Sequence, residues 1–173
     1  AEVGRSSSVL LCGSVVRGTS VREPILGVRT EVAAPVDAVR GWFLSLKDHP
    51  ERYAFETHGG FTFEEGGFGE PGARFTTREQ FLFVPIELRF ELTEVQESTF
   101  SFRLLRPAVL EIWGRFEIER AGAERSLLAL RIGSETRAGQ LFLRFYPVAA
   151  VVHRQICGEV RHIKQSIQAL SNA

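Results

Sequence analysis

Between Gly60 and Thr136 apolar and polar positions alternate with period two. The pattern runs through Phe61 and Phe63, Phe75, Phe81 and Phe83, and Ile86, Leu88, Phe90 and Leu92. It continues through Phe100, Phe102 and Leu104, through Leu110, Ile112, Phe116 and Ile118, and through Leu128, Leu130 and Ile132. Side chains of a strand point alternately to its two faces, so this spacing predicts strands packed on one side and wet on the other. Turn residues near 66–72, 84–85, 97–98, 106–107 and 121–124 divide the stretch into about six antiparallel strands. The opposite parity carries Arg89, Glu91, Thr93, Arg103, Glu111, Arg115, Glu117 and Glu119, which marks the solvent face.

The packed face needs a cover, and the C-terminal segment supplies one. From Gly139 onward the apolar period becomes about 3.6, with Phe145, Ala149, Val152, Ile156, Val160, Ile163, Ile167 and Leu170 on one stripe. A helix from about Pro147 to Leu170 is predicted, with Pro147 either starting it or kinking a preceding turn around Leu141 to Phe145. Near the other end, Val28 to Val32 reads as a short strand. Ala34-Pro35 and Asp37 then start a helix with Val36, Val39, Trp42, Phe43 and Leu46 on its apolar side. Pro50 to Phe55 has the length of one further helical turn. Residues 1–27 are expected to be an extension with one edge strand around Val9 to Val16, and residues 28–172 a single α+β domain.

Composition narrows the function more than it changes the fold. Lysine and arginine total 21, as do aspartate and glutamate, so the chain has no net positive field to gather nucleic acid. Hydrophobic residues at 44% and charged residues at 24% suit a folded globular chain. The apolar runs are far shorter than the roughly 20 residues of a membrane span. Cys12 and Cys157 have no spacing of a disulfide framework and read as reduced thiols, with one bridge as the alternative. No basic segment followed by an apolar one opens the sequence, which predicts a cytoplasmic protein; a monomer or homodimer is expected.

The order of elements, strand, two short helices, antiparallel strands and one long helix, resembles the helix-grip fold of START domains, the birch pollen allergen and bacterial polyketide cyclase-like proteins. At residue level Val32-Ala33-Ala34-Pro35-Val36-Asp37-Ala38-Val39 with Trp42 and Phe43 is similar to that superfamily's first strand and helix, and Asp48-His49-Pro50-Glu51 to its second helix start. Phe68-Gly69-Glu70-Pro71-Gly72-Ala73-Arg74-Phe75 and Trp113-Gly114-Arg115-Phe116-Glu117-Ile118 resemble later parts of its sheet. The resemblance implies a curved sheet of about seven strands wrapped around the last helix, leaving a pocket for an apolar ligand such as a lipid, polyketide, isoprenoid or aromatic metabolite. It equally admits a cyclase or aromatase and a protein-interaction module, because this fold hosts many functions.

Fourteen phenylalanines, most at inward parity, suit the wall of such a pocket. Parity and helical phase place Phe61, Phe81, Phe90, Phe102 and Phe116 on the sheet side, and Phe145, Ala149 and Val152 on the helix side. Thr77 and Glu79 share the inward parity of Phe75, unless a bulge turns Glu79 to solvent. The resemblance puts Tyr53 and His58 at a gate formed by the second helix and the loop after it. For an enzyme, Glu79, Tyr53 and His58 are the candidates for moving protons. Trp42 reads as core and Trp113 as outward-facing. His153 with Cys157, and Glu159 with His162, provide too few ligands for a metal site, so neither metal nor cofactor is expected. Gly67 to Gly72 matches G-x-G-x-x-G but leads into a strand, which excludes the dinucleotide reading.

Overall fold

The computed structural model describes residues 23–55, 58–81 and 84–171, without the side chains of 58, 81 and 171. The anticipated edge strand around Val9 to Val16 and any pairing of Cys12 lie outside the described residues. β1 (Leu26–Val32) is followed by α1 (Val36–Ser45) and a 3-10 turn, η1 (Pro50–Tyr53). Six strands come next: β2 (His58–Glu65), β3 (Arg74–Phe81), β4 (Val84–Val95), β5 (Thr99–Leu104), β6 (Ile112–Arg120) and β7 (Ser126–Ser134). A second 3-10 turn, η2 (Ala108–Leu110), interrupts the passage from β5 to β6. The chain then runs through α2 (Arg137–Arg144) into the 26-residue α3 (Tyr146–Ser171).

The seven strands form one antiparallel sheet in the order β1-β7-β6-β5-β4-β3-β2. Consecutive hairpins build it from β2 to β7, and β1 closes it by pairing with β7 from Leu26 with Ile132 to Val32 with Ser126. Register shifts occur in β2, between His58 and Gly60 and between Phe63 and Glu65, and where β4 meets β5. β3 and β4 pair without interruption from Arg74 with Glu91 to Phe81 with Val84, so no bulge turns Glu79 outward. The convex face carries cross-strand ion pairs, among them Arg89 with Glu64 at 2.7 Å, Arg103 with Glu91 at 2.8 Å and Arg131 with Glu117 at 2.7 Å.

The concave face divides into two regions. At one, Val39, Trp42 and Phe43 of α1 meet the sheet, and Phe43 lies 4.8 to 5.5 Å from the rings of Phe68, Phe100 and Phe116. The second half of α3 completes this core with Val160, Ile163 and Ile167, and the Trp42 indole donates to Ser166 at 2.9 Å. The other region lies under the first half of α3 and is not filled.

The start of α3 departs from the expected stripe. Pro147 has no N–H with which to continue α2 into α3. Phe145 therefore becomes the C-cap of α2, with extended ψ of 118° and 62% exposure. The stripe restarts at Val148, which is buried; Ala149 is only half-buried and Leu170 is exposed. Trp113 does lie on the convex face, yet it is buried: it faces Gly133 across the β6–β7 register, and its ring occupies the space a side chain there would take.

Candidate functional site

The unfilled region is a cavity of about 330 Å³. Its floor comes from the inner face of five strands: Phe75, Thr77 and Glu79 of β3, Ile86, Leu88 and Phe90 of β4, Phe102 and Leu104 of β5, Ile112 and Phe116 of β6, and Leu130 and Ile132 of β7. Gly114 helps shape this floor. It pairs with Phe102, and the Phe102 ring lies across it where a Cβ would collide. The roof is one face of α3, Val152, Gln155, Ile156 and Glu159, spaced three and four residues apart as one helical face requires. Phe142 and Leu143 of α2, Pro107 and Leu110 beside η2, Tyr53 of η1 and Phe68 complete the lining.

Short segments hold the α2 side together. Ser134 Oγ donates to the Leu110 carbonyl at 2.5 Å, and the Thr136 side chain caps α2 by accepting from Gly139 N. Gly139 sits so close to the Leu110 carbonyl and to Ser134 that a Cβ would overlap both. Around this seam Val109, Leu141, Phe145 and Tyr146 are exposed, and Phe142 is partly exposed while lining the cavity. That edge of the cavity is thus bordered by unburied apolar side chains.

The polar lining is confined to one flank. Tyr53, Thr77, Glu79, Gln155 and Glu159 all come from η1, β3 and α3, whereas every lining residue from β4 to β7, η2 and α2 is apolar. Thr77 Oγ1 donates to Glu79 Oε1 at 3.0 Å, and Gln155 Nε2 donates to the Gln80 carbonyl at 3.2 Å. Tyr53 is buried and its hydroxyl donates to Glu159 Oε1. Burial, by stripping its hydration, pushes the Glu159 carboxyl up to about 8 from an ordinary 4.5. Glu159 is therefore mostly neutral at pH 7. Nearby, His162 Nε2 donates to the Arg52 carbonyl at 2.7 Å, and its ring stacks on Phe55.

Of the residues proposed from sequence, Tyr53, Thr77, Glu79, Phe90, Phe102, Phe116 and Val152 line the cavity together. Phe61 does not; it packs beside the cavity wall against Tyr53, Phe63, Phe68 and Phe75 at 4.8 to 5.8 Å. Phe145 and Ala149 fall away from the lining because of the break before Pro147. His58 and Phe81 belong to β2 and β3 by their backbones, and their side chains lie outside the described residues. Sequence reasoning passed over Glu159 and Gln155 as lining residues. Glu159 stands three residues after Ile156 and four before Ile163, squarely on the apolar stripe, and that position was the available signal. His153 and Cys157 approach to 3.9 Å, and no group of three metal-binding side chains occurs among the described residues.

No helix among the described residues is long and apolar enough to cross a membrane. No family model and no curated protein matches this sequence. Solved structures do resemble it. The Zhui aromatase/cyclase from Streptomyces sp. R1128 superposes with a TM-score of 0.62 at 18% identity, over 83% of this chain and 92% of that one. A START superfamily protein from Mycobacterium smegmatis gives 0.62 at 12% identity, over 84% and 97%. The di-domain ARO/CYC BexL gives 0.62 at 17% identity over 85% of this chain; the chain spans 47% of that protein, about half its length. With its seven-stranded antiparallel sheet curved around one long C-terminal helix, the chain has the START-like helix-grip fold.

Proposed function

We propose that this protein binds an apolar small molecule between its sheet and α3, for transport, sequestration or sensing. The observation that carries this is the cavity itself, about 330 Å³ walled by hydrocarbon and aromatic side chains with a few convergent polar groups. That volume and that lining are typical of small-molecule sites, and burial of the ligand's apolar surface supplies the driving force. Native mass spectrometry of protein purified without detergent, paired with denaturing solvent extraction, tests it. A stoichiometric apolar compound released on denaturation is expected. Protein that is ligand-free on purification and takes up nothing from an extract of hydrophobic metabolites would contradict it.

A second reading is supported by Tyr53 and Glu159. A carboxyl kept neutral near pH 7 and hydrogen-bonded to a phenol is equipped for general acid catalysis on a bound chain. Two of the similar structures are named aromatase/cyclase or ARO/CYC. In this reading the apolar walls fold a reactive ligand while Glu159 gives a proton to a carbonyl oxygen, with Glu79 the other carboxyl in reach of the cavity.

A further inference from the structure

Building on the ligand-binding reading, we infer that the site takes an uncharged amphipathic molecule, whose single oxygen-bearing end meets Glu159 and Tyr53 while its apolar body lies toward η2 and α2. Two features of the lining lead there. The first is its division, with all five polar side chains on the η1, β3 and α3 flank and none on the β4 to β7, η2 and α2 flank. A ligand polar at one end and apolar along its length matches that division; a wholly apolar one leaves the polar flank desolvated. The second is charge. The lining contains two carboxyls, Glu79 and Glu159, and no lysine, arginine or histidine among the described residues. An anionic head would be buried beside these carboxyls, with no cation among the described lining residues to meet it.

The titratable groups around Glu159 come from several elements. η1 contributes Tyr53, β3 contributes Glu79 across the cavity, and α3 itself contributes His162, held by the Arg52 carbonyl. The inward parity of β1 is Leu26, Val28, Thr30 and Val32, none of them titratable. Burial keeps Glu159 protonated up to about pH 8. With Oε1 accepting from Tyr53, the neutral carboxyl carries its own proton on the other oxygen, a donor suited to a ligand carbonyl or hydroxyl oxygen.

Displacement of the neutral fluorescent probe N-phenylnaphthylamine by decanol, decanoate and decylamine tests the inference. Decanol should displace best at pH 7. Decanoate must take up a proton to enter, and with a carboxyl pKa of about 5 that weakens it roughly a hundredfold at pH 7. Its handicap should shrink about tenfold per unit as the pH falls toward about 5. Decanol binding should weaken above about pH 8, where Glu159 loses its proton. Glu159→Gln, which keeps a donor, should abolish that alkaline loss. Decanoate competing as well as decanol at pH 7 would overturn the inference, as would decylamine outcompeting both, because Glu159 would then be acting as a counter-ion. If the probe and decanol both fail to bind folded protein, the apolar-site reading fails with it.

Discussion

The Ile163→Asp variant is expected to show no cooperative thermal unfolding transition at neutral pH. Ile163 is fully buried where the second half of α3 meets the rest of the core, away from the cavity and its space. The substitution removes a buried aliphatic side chain, which alone costs about 2 to 5 kcal/mol, and inserts an unpaired carboxylate, which costs several more. Their sum is comparable with the whole stability of a domain this size, roughly 5 to 15 kcal/mol. Ile163→Val, which only trims the side chain, should cost about 1 kcal/mol and leave the transition intact. Scanning calorimetry distinguishes the outcomes: an Asp variant melting within a few degrees of the parent would show that this face of α3 is not the one in the core.

Glu159→Gln should reverse the usual penalty of altering a buried residue once the pH is high. In the folded protein the carboxyl holds its proton to about 8, against 4.5 as its ordinary value. Between those values the folded state binds more protons than the unfolded state. Stability therefore falls as pH rises through this window and levels off above it. The window corresponds to a loss on the order of 5 kcal/mol. Glutamine accepts from the Tyr53 hydroxyl as the acid does and has no proton to lose. Urea unfolding should find the variant close to the parent near pH 5 and more stable than it near pH 9. Parallel pH profiles would mean that the Glu159 carboxyl is solvated or charged in the folded protein.

Much of this architecture is legible in the residues because each strand is packed on one side, which imposes period two on Phe75, Thr77 and Glu79 or on Ile86, Leu88 and Phe90. The long helix is equally plain, since a stripe from Val152 to Ile167 must be buried. Parity tells which face a side chain takes, but not what covers that face. Trp113 illustrates the difference, buried on the convex side over Gly133. Phe61 has the right parity and still misses the cavity, because Phe63, Phe68 and Phe75 surround it. Local breaks are harder still. Pro147 signals an interruption, yet whether it bends one helix or separates two decides the fate of Phe145 and Ala149. η2, three residues long, has no periodicity to read. Glu159, read from the sequence only with His162 as too small a metal-ligand set, is missed as a lining residue for a different reason: a charged residue type suggests solvent until its neighbours on the stripe are counted.

Val152→Trp tests the central claim most directly. Val152 is half-buried, packs against the edge of the core and lines the roof of the cavity. An indole there fills much of the volume a ligand would need without requiring the core beneath α1 to move. Ile86→Trp does the same from the opposite wall. Binding of N-phenylnaphthylamine to the two variants is expected to weaken by about tenfold or more, with melting temperatures close to that of the parent. Folded variants that bind the probe as tightly as the parent would contradict the account, because the ligand would then have to sit somewhere other than between the sheet and α3.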